Sequence, residues 1–154
     1  MSGKQYRVLK APCAAEEISM TKISGSCLCG AVSWSGDVTL QMTKNCHCTD
    51  CRKVTGAAYG TLLFIAEDEL TISGELQSYH HKSDRGSDMT KLFCGNCGSQ
   101  MFTRNSARPG TIGIRAGHID QTDVIRPDAN LYGDSAIPST PMDPDLPVHA
   151  KMPG

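Results

Sequence analysis

The chain has 154 residues, 39% hydrophobic and 20% charged, with a formal net charge of −1. This length suits one domain with a core of its own, and with aromatics at only 5% the core is expected to rest on aliphatic residues and metal. Near-zero charge without a long basic run argues against a broad electrostatic footprint for nucleic acid. No apolar stretch approaches the roughly 20 residues of a membrane span.

Residues 1–19 read as a mobile arm with a short helical possibility at Ala14-Ala15-Glu16-Glu17. Its lone Cys13 reads as an exposed or lightly packed thiol. The opening MSGKQYRVLK lacks the apolar segment of a secretory signal. The expected setting is therefore cytoplasmic and reducing, where disulfides are rare. A domain is expected over residues 20–135, and a proline-rich tail over 136–154.

From Thr21 the pattern turns to strands. Ile23 to Gly30 runs into Ala31 to Gly36, with Gly30 able to supply a tight turn or bulge. Alternation in a strand would aim Cys27 and Cys29 one way and Leu28 the other. Val38 to Met42 continues as strand towards Cys46. Thr49 to Lys53 suits a helical turn, with Thr49 or Asp50 as N-cap and Gly56 as its end. Ala57 to Ala66 is an apolar run fit for a buried strand. Glu67-Asp68-Glu69 reads as a turn. Leu70 to Gly74 and Leu76 to His80 read as strands, and His81 to Asp88 as a polar loop. Met89 to Phe93 leads into Cys94, Gln100 to Thr103 leads away from Cys97, and Thr111 to Arg115 is another strand. The tail from Asp128 carries most of the eight prolines and reads as irregular, packed down only if Leu131-Tyr132 anchor it. Strand arguments recur and no helix of three turns is visible, so the domain is expected to be mainly β.

Seven of the eight cysteines fall in three clusters: Cys27-x-Cys29, Cys46-x-Cys48-x2-Cys51 and Cys94-x2-Cys97. Such spacing points to metal, and the close C-x-C partners do not bridge to each other easily. Two pairs, Cys27/Cys29 and Cys94/Cys97, make one closed four-thiolate site. The triplet makes a three-ligand site with one position open. Closed zinc sites are usually structural, whereas open ones are catalytic or exchangeable. In an extended segment Cys46 and Cys48 share a face and His47 points away. His118, His80, His81 and Cys13 are the candidates for a fourth protein ligand. Arg52 and Lys53 lie beside the triplet in sequence, where they either attract a carboxylate-bearing substrate or remain solvated.

With these clusters placed, the chain resembles the family of glutathione-dependent formaldehyde-activating enzymes and centromere-protein-V-like domains. The matching residues are Gly25-Ser26-Cys27-Leu28-Cys29-Gly30-Ala31-Val32, Asn45-Cys46-His47-Cys48-Thr49-Asp50-Cys51-Arg52-Lys53 with Gly56, and Phe93-Cys94-Gly95-Asn96-Cys97-Gly98. The resemblance implies a β-tent of stacked antiparallel sheets held by a four-cysteine zinc. It assigns Cys27, Cys29, Cys94 and Cys97 to a structural ion, and Cys46, Cys48 and Cys51 to a catalytic one. It further implies a carbon–sulfur lyase that joins glutathione and formaldehyde to S-hydroxymethylglutathione, or runs the reverse. The expected partners are a small thiol such as glutathione and a small aldehyde, with neither nucleic acid nor membrane. The competing expectation is a non-catalytic, zinc-stabilised glutathione carrier or binding module.

Overall fold

The structure is a computed structural model describing residues 19–154. The expected arm, except Ser19, and with it Cys13 and the helical possibility at Ala14 to Glu17, lies outside the described residues. In chain order the elements are β1 (Met20–Ser26), β2 (Ser33–Thr39), β3 (Met42–Cys46), α1 (Thr49–Thr55), β4 (Gly60–Ala66), β5 (Thr71–Ser73), β6 (Leu76–Lys82), β7 (Asp88–Cys94), β8 (Gln100–Asn105), β9 (Thr111–Arg115) and β10 (Ala129–Leu131). They form a three-stranded sheet, β1-β2-β5, and a seven-stranded sheet, β10-β3-β4-β9-β8-β7-β6. All pairings are antiparallel except β10 with β3. The mainly β expectation holds, and no helix is long and apolar enough to cross a membrane.

The two-residue period of the strands divides the large sheet into two faces. Leu63 and Ile65 of β4, Ile112 and Ile114 of β9, and Phe102 of β8 pack with Ile23, Trp34 and Val38 of the small sheet as the main core. On β4 the alternate residues Leu62 and Phe64 belong to a second, smaller cluster with Cys46, Cys51 and Leu131. Gly25 permits the close approach of β1 to the segment after β9. A Cβ there would lie 1.8 Å from the backbone oxygen of His118 and 2.5 Å from the Trp34 ring.

Three expectations need correction. Val38 to Met42 is not continuous strand: the chain breaks at Leu40-Gln41, so β2 and β3 enter different sheets. The polar stretch from His81 to Asp88 is mostly the end of one hairpin. Its strands run to Lys82 and restart at Asp88, closed by Ser83 N–H to Ser87 O at 2.9 Å. Polarity misleads there because β6 is an edge strand with mostly exposed side chains. The tail is not wholly irregular either. Residues 129–131 pair parallel with β3, and Asn130 N–H donates to Pro147 O while His149 N–H donates to Asn130 O. A three-residue strand carries no periodic signal.

Candidate metal centres

The four-cysteine cluster is built from two knuckles. Cys27 to Gly30 does not extend β1, as alternation would require. It turns, with Gly30 N–H donating to Cys27 O at 3.1 Å and Gly30 at φ 78°. The turn, and not a shared strand face, brings the Cys27 and Cys29 sulfurs to 3.6 Å. Leu28 is left on the outside, 88% exposed. The second knuckle closes through Gly98 N–H to Cys94 O at 2.8 Å, with Gly98 at φ 75°. The Cys29 and Cys94 sulfurs are 3.8 Å apart, and all four sulfurs lie within 4.8 Å of one another. A zinc–sulfur bond of about 2.3 Å in a tetrahedron requires sulfur–sulfur edges of about 3.8 Å, so the cluster fits a tetrahedral thiophilic ion.

Local donors favour thiolate at Cys97 and Cys27. The Ser99 hydroxyl, 3.2 Å from the Cys97 sulfur, followed by backbone donors, draws the Cys97 thiol down to about 5. Burial opposes ionisation of Cys27, yet the Val32 N–H at 3.3 Å and the neighbouring thiols bring it below the ordinary thiol value. Cys27 and Cys94 belong to the main core. An ion here would tie the hairpin of the small sheet to β7 of the large one.

The triplet is assembled differently. Cys46 ends β3, Cys48 precedes α1, and Cys51 sits in its first turn. Thr49 and Asp50 are not the N-cap. Cys48 takes that position with extended backbone, and its sulfur accepts from Cys51 N–H at 3.3 Å. The Cys48 sulfur thus does the work expected of a hydroxyl or carboxylate. Gly56, at φ 64°, ends the helix as expected. The three sulfurs lie within 4.8 Å of one another, and no fourth ligand joins them among the described residues. They share protons unequally. Hydrogen bonds from Cys46 and Cys48, and then the charges of Arg115 and Lys91, hold Cys51 far below the ordinary thiol range against the cost of burial. The same hydrogen bonds and burial push Cys46 far above it. His47 is fully buried and turned away, its Nε2 3.2 Å from Asn130 Oδ1 and its ring 4.8 Å from that of Tyr59.

The sequence profile of the glutathione-dependent formaldehyde-activating enzyme family matches residues 22–135. The chain belongs to this family. A crystal structure of a Rhodobacter sphaeroides protein has a similar fold, with a TM-score of 0.53 at 20% identity, covering 68% of this chain and 96% of that one. No curated protein matches the sequence significantly. The family description ties its members to glutathione-dependent activation of formaldehyde, and both cysteine clusters are compatible with zinc.

In this family member the triplet opens into a cavity of about 740 Å³. Leu62, Phe64, Met89 and Leu131 give it apolar walls, while Lys91, Thr103 and His81 bring polar atoms to it. Tyr132 lines it in a left-handed backbone conformation, φ 57°, which a bulky residue rarely adopts. The Tyr132 hydroxyl donates to Asp84 at 2.8 Å. Of the candidate histidines, only His81 reaches this cavity, with Nδ1 3.0 Å from Lys82 O. His118 Nε2 is 2.7 Å from Gln100 O, and His80 bonds Thr90, so neither is gathered to the triplet. Arg52 and Lys53 do not line the cavity. Lys44, Arg85, Arg108 and Lys151 line it as well as Lys91; the buried cations on the triplet's side of the sheet are Lys91 and Arg115, which neighbours in sequence do not reveal. The available signal was alternation: if Leu92, Ile112 and Ile114 face the main core, Lys91 and Arg115 face the triplet side.

Proposed function

We propose that this protein is a zinc-dependent carbon–sulfur lyase acting on a glutathione or other thiol adduct of formaldehyde or a similar small carbonyl compound. Two ions are assigned: a structural one on Cys27, Cys29, Cys94 and Cys97, and a catalytic one on Cys46, Cys48 and Cys51. The observation that carries this reading is the contrast between them. Four sulfurs close one site, whereas three sulfurs border a cavity large enough for a substrate.

A thiophilic dication with three thiolates and an open position acidifies an incoming thiol and favours its nucleophilic form. The chain supplies the rest. The triplet is held by a strand end and a capped helix, and Leu62, Phe64 and Leu131 pack against it as an apolar floor. In the forward direction the thiol gives up its proton, a sulfur–carbon bond forms, and the carbonyl π pair moves onto oxygen. That oxygen takes a proton, so the hemithioacetal, an S-hydroxymethyl adduct of the thiol, is the sole product. The reverse breaks the same bond. The catalytic unit is assigned to residues 20–135, in the reducing cytoplasm, with the tail of residues 136–154 contributing Lys151 and Met152 to the cavity wall.

Cys48→Ser is the test. Serine is a good N-cap, so α1 is expected to persist while one thiolate is lost. The expected result is an unchanged fold, one zinc fewer per chain and no turnover of glutathione with formaldehyde. Glutathione binding to wild-type protein without any turnover would favour the carrier reading instead.

A further inference from the structure

Among the described residues, the Lys, Arg, Asp and Glu side chains that are buried number two, Lys91 at 3% exposure and Arg115 at 5%. Both are cations, and neither pairs with a carboxylate among the described residues. Two Arg115 nitrogens, Nη1 and Nη2, are sealed from solvent and have no hydrogen-bond partner. Burying an unpaired charge is costly by several kcal/mol, and burial draws the Lys91 ammonium below its ordinary value, so the pair stays charged only with anions close by.

The topology places both cations around the triplet. Lys91 lines the triplet's own cavity, opposite Thr103 in the β7–β8 register. Arg115 pairs with Leu62 on β4, two residues from Gly60, the partner of Cys46. Its guanidinium fills the space a side chain at Gly60 would need, since a Cβ there would be 2.3 Å from Nη1. Thr55, which caps back onto the Cys51 carbonyl, closes the same space. Arg115 also borders a second cavity near Gly98 and His118, but its sealed Nη atoms offer nothing to a ligand there.

We infer that Lys91 and Arg115 are positioning residues whose charge selects an anionic fourth ligand, a thiolate, at the triplet. The count is simple. A dication with three thiolates carries −1, and the two buried cations make the enclosed group +1. A neutral water leaves that excess in place; one anion, hydroxide or thiolate, brings it to zero, and an ion already held by soft thiolates favours the thiolate. This rests on the reading of the triplet as the thiol site and adds what sets its preference.

The test uses full-length zinc-loaded protein and 2-mercaptoethanol, a thiol without carboxylates that Lys91 or Arg115 would bind for their own sake. Binding and proton release are followed by calorimetry, and sulfur coordination by the charge-transfer bands of cobalt-substituted protein. Wild type is expected to bind thiol with release of about one proton. Lys91→Met and Arg115→Met are each expected to weaken thiol binding at least about tenfold, whereas Lys91→Arg retains it. Melting curves and metal content are measured for each variant, and Lys91→Met carries the test if Arg115→Met does not fold. Equal thiol affinity in wild type and Lys91→Met, with metal retained, overturns this inference and leaves the thiol site standing. Absence of thiol ligation in wild type overturns both.

Discussion

Removing the ion from the four-cysteine site should unfold the domain. Cys27 and Cys94, 3% and 1% exposed, are packed in the same core as Ile23, Trp34 and Phe102. Without an ion, four sulfurs within 4.8 Å of one another must either protonate or repel. Structural zinc of this type contributes about 10–16 kcal/mol in peptide systems at neutral pH. The whole net stability of a domain is about 5–15 kcal/mol, so the metal-free balance falls near or below zero. The assay is a chelator titration that reads released zinc against far-ultraviolet circular dichroism. The triplet's ion, bound by three ligands beside an open cavity, is expected to leave first, without loss of the β signal. The second should leave together with that signal, and added zinc should restore it. Fully zinc-free protein with an unchanged spectrum and a cooperative melt would refute the reasoning.

Other perturbations follow from the same geometry. Gly25→Ala drives a Cβ to within 1.8 Å of a backbone oxygen; overpacking of about 3 kcal/mol corresponds to a melting temperature lower by about 6–12 °C at this chain length, and a shift under 2 °C, roughly the scale of 0.5–1 kcal/mol, would count against the packing described. His47→Ala removes a fully buried ring and one of the two partners of Asn130 Oδ1, Asn45 remaining, so a loss of about 2–3 kcal/mol is expected with zinc content unchanged; a lost zinc would make His47 a ligand after all. Acid should loosen the four-cysteine site. The Cys97 thiol sits at about 5 when folded, against about 8.5 in a free chain. For such a depressed acid the stabilising contribution is full above the unfolded value, shrinks as pH falls, and is gone below the folded one. Zinc retention against a fixed chelator should accordingly drop from pH 8 to pH 5, and a flat profile would contradict the assignment.

Much of the fold was legible because the strands alternate and the cysteines cluster. The run from Ala57 to Ala66 became β4, and Thr111 to Arg115 became β9. Gly56 ended the helix because an αL position favours glycine. What stayed hidden was decided by tertiary contact. Cys48 displaced Thr49 and Asp50 as N-cap because a sulfur held near its two companions also reaches Cys51 N–H. Cys27 and Cys29 converge through a turn, which spacing alone does not distinguish from a strand face. β10 exists because β3 offers it an edge and Pro147 to His149 continue the contacts. Lys91 and Arg115 were read as ordinary strand residues, since their meaning depends on which face of the sheet holds the triplet.

That face is where the two clusters part company. The four-cysteine cluster lies with the main core, where the small sheet meets the large one, and any change there is felt by most of the apolar side chains that hold the fold. The triplet lies on the opposite face, with only Leu62, Leu131 and a few partly buried neighbours around it. Its surroundings can therefore tolerate an open coordination position, two buried cations and a strained Tyr132 without exposing the main core. Under the proposed assignment, the sheet between them lets one cysteine cluster serve stability while the other is left free for chemistry. Loss of a triplet cysteine should cost function before fold, and loss of Cys94 should cost the fold outright.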